Sequence, residues 1–320
     1  MIDTQTGEIK NKKLTNVKEE FREFIGDKAD TRMVIESCRD WSRSYELSED
    51  LVEDIILAHP LKVKAIASAK IKTDKIDSQI LARLLMADLI PQAHLRKGDN
   101  RVKQRVIRHR AFWIVIRTRV KCRIHDLVDN QLWPPEILKA KPRSLFSKKG
   151  MKWLTSLEWA KEEDREIVES CLRVIETING EISVSNQMVE EIYKGDMDAQ
   201  LLSTIPGIGV TLAMLISTEI DGIERFPSAS KLCSYTGLVP VTHSSGGRTY
   251  YGRTTGRKPW LRWALLEALV PASYGDVETR QRLNDLRKRK AANVAQIAVA
   301  RWLLKVVYYV LKEKRPYAAT

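Results

Sequence analysis

The chain has 320 residues, 43% of them hydrophobic, and carries 54 Lys and Arg against 41 Asp and Glu, for a net charge of +13. That length supports two or three domains with a sizeable core, and the positive balance points to a polyanionic partner. The four cysteines (Cys38, Cys122, Cys171, Cys233) follow no CxxC spacing, which argues against a zinc centre or a disulfide framework and fits a reducing, cytoplasmic setting; a polar first stretch and the lack of any run of about 18 apolar residues argue against a signal peptide or membrane span.

In chain order, residues 4–7 read as a turn, followed by a polar strand, GEIKNKKLT. VKEEFREFIG reads as a short amphipathic helix, residues 31–36 as a strand ending on Glu36, residues 44–54 as a second helix, and DIILAHP as a buried strand stopped by Pro60. After LKVKAIASAKIK comes TDKIDSQILARLLMADL, a strongly periodic helix. Strand, helix, strand, helix at this spacing predicts an α/β layer with a parallel or mixed sheet over residues 1–95.

Residues 96–131 have apolar positions at helical spacing and neither Gly nor Pro after Gly98, so one long helix is expected. From Arg96 to Arg123 there are eleven Lys or Arg and one Asp. Such a run is either a solvated helix face or a nucleic-acid contact. The imbalance is too one-sided for i,i+4 pairing within the helix and favours the contact. Arg105, Arg108, Arg117 and Arg119 are its candidate nucleic-acid-binding residues. Residues 132–150, with Pro134, Pro135, Pro142 and Gly150, form a connector. Residues 151–198 make a second helical stretch, acidic in its first half, expected to pack antiparallel on the basic helix with a break at Asn179-Gly180. Residues 199–320 read as a further compact helical unit. Its late amphipathic helix, KRKAANVAQIAVARWLLKVVYYVLKEK, turns its apolar side to the core.

Two stretches carry chemistry. The first combines Glu36, at the carboxyl end of a strand, with Asp74 and Asp77, which sit three apart on one helix face. Three such acids hold a hard cation such as Mg2+, or else cap a helix and pair with neighbouring bases. The second runs from Ser203 to Ala268. Pro206, Gly207 and Gly209 make a Pro-Gly-Ile-Gly turn between two apolar helical runs. It is either a backbone-phosphate anchor at a helix N-terminus or a helical corner in the core. Downstream, Ser244-Ser245-Gly246-Gly247 precede Arg248, Arg253, Arg257 and Lys258 with no acid among them. A serine hydroxyl needs a base or cations before it attacks phosphorus, and guanidinium groups neutralise a scissile phosphate well. His243 is a base or a surface residue; Ser244 is the alternative nucleophile. Tyr235, Tyr250, Tyr251 and Trp260 interleave with the basic residues and either stack on bases or pack in the core.

The run HPLKVKAIASAKIKTDKIDSQILARLL, preceded by VIES and followed by IPGIG, FPSASKLCSYTGLVP and SSGG, resembles the DEDD transposases of insertion sequences, the IS one-hundred-and-ten family of bridge-RNA-guided recombinases related to the Piv invertase. The likeness runs over nearly the whole chain. It implies an α/β RNase-H/RuvC-like domain over 1–95, an α-helical coiled-coil region over 96–198, and a mainly helical C-terminal transposase domain over 199–320. It implies that Glu36, Asp74 and Asp77 are Mg2+-binding catalytic acids and that Ser245 is the nucleophile. DNA, a guide RNA and further copies of the chain are the implied partners. One departure stands out: the first residues match the family's second strand, so Asp3 reads as a turn residue. The strand carrying the family's first Asp is then expected to lie upstream or to be lost by truncation. The alternatives are a RuvC-like metal nuclease, in which Ser245 is dispensable, and a non-catalytic nucleic-acid-binding copy.

Overall fold

Asp3 shapes the first turn: its Oδ1 accepts from the backbone N–H groups of Gln5 and Thr6 at 2.9 and 3.0 Å, an Asx-type turn closed by Gly7 at φ +73°. The strand expected after it is reduced to a single bridge, Ile2 to Ile9. In this computed structural model residues 1–26, 30–67, 73–96, 98–254 and 259–318 are described, and the chain divides into two units, Met1–Lys97 and Gly98–Thr320.

In the first unit, α1 (Lys18–Ile25) precedes β1 (Arg32–Glu36), α2 (Trp41–Ser48) and β2 (Asp54–Ala58). The second helix starts three residues earlier and ends six residues earlier than the periodicity suggests. Its last residue, Ser48, turns its hydroxyl back to the carbonyl of Ser44 at 2.6 Å and ends the helix ahead of β2. The strands pair in parallel, with Val34 opposite Ile56 and Glu36 opposite Ala58, as the strand–helix–strand spacing requires. Pro60 then stops β2 and opens α3 (Pro60–Ile66). Thr73 caps α4 (Asp74–Met86) by accepting from the N–H of Ile76 at 3.2 Å. Val34, Ile56 and Ala58 share one sheet face and pack with Leu81, Leu84, Leu85 and Ile90. Ile35 and Leu57, which alternate with them, are buried on the other face. Ala58 also bridges to Gln92 in antiparallel sense.

The second unit opens with α5 (Asp99–Asp129), the expected long basic helix. Two short helices follow in the connector, α6 (Pro135–Ala140) and α7 (Lys148–Thr155), then α8 (Glu162–Lys194). α5 and α8 lie antiparallel: Arg110 bonds Asn186, Arg117 bonds Asn179 and Gln131 bonds Asp164, the partner numbers falling as α5 advances. Their seam buries Ile124 and Val128 against Val168 and Ile175, with Leu145 and Leu154 from the connector. The break expected at Asn179-Gly180 does not occur. Ile175, Ile178 and Ile182 are all buried around it, and their packing outweighs the roughly 1 kcal/mol that a mid-helix glycine costs.

The chain continues through α9 (Met197–Leu202), α10 (Val210–Ile220), α11 (Ala229–Thr236), a hairpin of β3 (Pro240–Ser245) and β4 (Arg248–Thr254), α12 (Pro259–Gly275), α13 (Val277–Arg287) and α14 (Ala292–Glu313). The core of this unit is helix on helix: Met214, Leu215 and Ile216 of α10 meet Leu261, Leu265 and Ala268 of α12 and Leu303, Leu304 and Val307 of α14. Among the described residues α14 alone has the length and apolarity of a membrane-crossing helix. Half of its most apolar 18-residue window is buried within the fold, as in a core helix. All four cysteines are free thiols.

Candidate active site and nucleic-acid interface

Ser245 is the last residue of β3, at the tip of the hairpin. Gly246 and Gly247 form the two-residue connection with φ of +56° and +74°, left-handed values that a glycine pair adopts freely and a primed hairpin turn needs. Pairing sets Ser245 opposite Arg248, His243 opposite Tyr250, and Ser244 opposite Thr249. Because strand residues alternate, Ser245, Arg248, His243 and Tyr250 share one face. Ser244 lies on the other with Thr249, to whose hydroxyl it bonds at 3.5 Å, and Tyr251. The register thus separates the two candidate serines by their company: among the described side chains, Ser245 shares its face with Arg248 and His243, and Ser244 shares its own with Thr249 and Tyr251.

Both faces of this hairpin are open. From Thr242 to Gly252 every residue is exposed, with Tyr250 at 60% and Tyr251 at 76%. A two-stranded ribbon without a buried face has little stability of its own. Its base is held by Arg262 of α12, which donates to the carbonyl of Gly237 at 2.9 Å and to the hydroxyl of Thr254 at 3.2 Å. Arg262 therefore anchors the hairpin, a role its place in a basic run does not reveal. Arg257 and Lys258 lie outside the described residues, as does the side chain of Arg253. Tyr235 and Trp260 are not on the ribbon: Tyr235 packs on Phe226 and under the Arg225 guanidinium, and Trp260 meets Trp263.

The Pro-Gly-Ile-Gly turn joins α9 to α10, and its two glycines do different things. Gly207 has φ +85°, and a Cβ there would sit 2.4 Å from both the carbonyl of Ala268 and the N–H of Ala272. It lets the turn press onto the α12 backbone, while Ile205 and Ile208 enter the core. Gly209 is exposed, has nothing within 4 Å of a Cβ, and is the N-cap of α10, where no side chain caps the helix. The motif is a core corner on one side and an open helix N-terminus on the other.

The α5 arginines divide likewise. Arg108 donates to the buried Glu219 of α10 at 2.8 Å, which also accepts from Gln104 at 2.9 Å, and its guanidinium lies 5.6 Å from the Trp260 ring centre. A buried carboxylate needs such partners, so Arg108 is tied to packing. Lys103 pairs with Asp196 at 2.7 Å in the same way. Arg117 bonds the neutral amide of Asn179 at 2.8 Å and so keeps its charge uncompensated there. Its proximity and partial burial hold Arg110 and Lys121 below their ordinary pKa values, burial being the larger cause. Arg105 and Arg119 are exposed.

The acids belong to the first unit and Ser245 to the second. Glu36 ends β1, exposed, on the sheet face that α4 covers. Arg32, at the start of β1, pairs with Asp88 just past the end of α4 at 3.0 Å. The helix therefore runs back along the strand, and Asp74 and Asp77, in its first turn, lie toward the Glu36 end. Among the described residues no group of three or more His, Cys, Asp or Glu side chains is placed to hold a metal. In the first turn of α4 Asp74 is exposed and Asp77 half-buried.

A family model for DEDD-type transposases of the IS110 kind, described as Transposase, matches residues 1–132, and a second, described as Transposase IS116/IS110/IS902 family, matches residues 199–283. The pilin gene-inverting protein of Moraxella lacunata is 37% identical over 124 residues, covering 37% of this chain and 38% of its own length. A probable family 20 transposase of Pseudomonas aeruginosa is 26% identical over 148 residues, 45% of this chain and 44% of its own. The transposase for insertion sequence element IS1328 of Yersinia enterocolitica is 26% identical over 160 residues, 46% and 48% respectively. The chain thus spans less than half the length of each of these curated relatives.

Proposed function

From the premise that the chain belongs to the IS110/IS116/IS902 family of DEDD transposases, we propose that it is a DNA recombinase of an insertion sequence, acting in the cytoplasm, with Ser245 as nucleophile. The observation that carries the reading is the hairpin tip. An exposed serine stands beside a glycine pair that lets a backbone approach closely, on one face with Arg248, His243 and Tyr250. The Ser245 Oγ attacks a DNA phosphorus; the Oγ–P bond forms as a sugar P–O bond breaks, and the departing sugar oxygen is protonated from solvent, to which His243 afterwards returns the serine proton. The serine proton passes to His243, two positions away on the same face. Attack by another strand's hydroxyl reverses these steps, so strand exchange needs no outside energy source. Arg248 offsets the charge that develops on the phosphoryl oxygens.

The open N-terminus of α10 at Gly209 is the backbone anchor in this reading. Arg105, Arg117 and Arg119 give α5 its positive surface toward DNA or a guide RNA that selects the sites by base pairing. Cutting and rejoining at two sites calls for more than one copy of the chain. The test is a suicide substrate carrying a nick near the cleavage point, incubated with the protein and the element's RNA. A denaturation-resistant protein–DNA adduct is expected with the parent and with Ser244→Ala, and none with Ser245→Ala. An adduct that survives Ser245→Ala refutes the serine role. Cleavage with no adduct at all points instead to hydrolysis by water.

A further inference from the structure

A cleft of about 430 Å3 opens between α13 and α14, lined by Arg282, Arg289, Lys290, Arg301, Lys305 and Trp302. The one carboxylate on its wall, Asp285, pairs with Lys288 at 3.0 Å. Arg282 is held in place from two sides: Glu278 accepts from its Nε at 2.9 Å, and its guanidinium lies 4.8 Å over the centre of the Trp302 ring. Trp302 itself rests on the small cluster of Leu269, Leu283 and Val299. The floor of the cleft is therefore apolar and aromatic, and its rim cationic. From Arg280 to Lys305 the sequence holds eight Lys or Arg and one Asp, so the charge continues past the cleft along the turn from α13 to α14. Arg282 is paired with Glu278, so Arg289, Lys290, Arg301 and Lys305 carry the attraction for an anion, and like charges gathered in one concavity repel each other unless an anion joins them.

We propose that this cleft binds a single nucleic-acid strand by its phosphates, as a contact separate from the Ser245 hairpin. The size accommodates about one nucleotide, in the range of small-ligand pockets. The basic turn beyond it, Arg287 to Lys290, takes the neighbouring phosphates. The proposal rests on the transposase reading only for the identity of the strand; the anion chemistry stands on the cleft alone.

The test uses the full chain carrying Ser245→Ala, so that no covalent reaction intervenes, with fluorescein-labelled 20-nucleotide poly-dT and poly-U and anisotropy read from 50 to 300 mM NaCl. Arg301→Gln with Lys305→Gln should weaken binding at least 10-fold at 100 mM salt. Losing two phosphate contacts should also flatten the salt slope by about 1.4. Arg289→Gln with Lys290→Gln provides a second pair, and thermal melting checks that each variant stays folded. Loss on dT alone, on U alone or on both supports the cleft and names the strand. Unchanged affinity and slope in both folded pairs overturns it, as does complete displacement of the oligonucleotides by equimolar tripolyphosphate, which would mark a small-anion site. Adduct formation by the Ser245 parent is measured apart, so its failure leaves this result standing.

Discussion

The two glycines of the Pro-Gly-Ile-Gly turn give the sharpest test of how this motif works. Gly207→Ala places a Cβ 2.4 Å from two backbone atoms of α12, where real contacts stay beyond 3.0 Å, at a φ of +85°. Left-handed backbone costs a non-glycine residue about 1–2 kcal/mol, and forcing a packed helix aside costs about 1–3 kcal/mol more. Neither atom belongs to a side chain that can rotate away, so the sum of about 2–5 kcal/mol falls on the helix packing itself. For a unit of this size that lowers the melting temperature by roughly 4–20 °C. Gly209→Ala meets nothing within 4 Å and keeps an ordinary extended backbone, φ −80° and ψ 173°. Its stability should change by no more than about 1 kcal/mol. If the open end of α10 grips a phosphate, the added methyl should still weaken DNA binding. Calorimetric melting of both variants, with anisotropy on a duplex oligonucleotide, separates the roles. A Gly207→Ala protein that melts within 2 °C of the parent refutes the close approach to α12. A Gly209→Ala protein that binds DNA like the parent refutes the phosphate anchor.

Asp74→Asn and Asp77→Asn should each cost about 0.3–1 kcal/mol of first-unit stability, the worth of a first-turn acid to the helix dipole, measured by urea unfolding; a loss of adduct over 100-fold in a normally folded variant would show instead that these acids gather for catalysis. Glu224 is held below its ordinary pKa by its hydrogen bond from Lys312, and Lys312 above its own by the same contact. A depressed carboxylate stabilises the fold above its unfolded pKa, and that contribution fades as pH falls through the lowered folded value. The raised lysine stabilises below its unfolded pKa and ceases to do so as pH climbs through the raised one. Lys312→Gln should therefore flatten the decline of stability between pH 5 and pH 3, followed by circular dichroism; an unchanged slope would count against the pair.

Much of the α/β layer is legible because its signals are local. Apolar runs of five residues bounded by Pro60 and polar turns read as buried strands, and the thirteen residues of α4, apolar at helical spacing, begin at a threonine cap. The long α5 is equally plain from its lack of Gly and Pro. The polar strand after Gly7 and the break at Gly180 mislead for the same reason: local propensity speaks where partners decide. Among the described residues the one pairs only through the Ile2–Ile9 bridge, and three buried isoleucines carry the helix through the other.

The chemistry-bearing residues follow the same division. Residue types and order along the chain, Glu36, the Asp74–Asp77 pair, Pro-Gly-Ile-Gly, the serines, determine the family and the candidate set, because those choices are written in short segments. Which residues act together is a matter of register and packing. Pairing in the hairpin puts Ser245, not Ser244, beside Arg248. Glu219 draws Arg108 out of the free basic set into the core, Arg262 becomes the hairpin's anchor, and α13 and α14 gather a cationic cleft from residues up to twenty-three positions apart. A charge's neighbours, and so its energy, depend on distance in space. The sequence lists the charges, and only the tertiary structure decides which of them are spent on holding the fold and which remain for a phosphate.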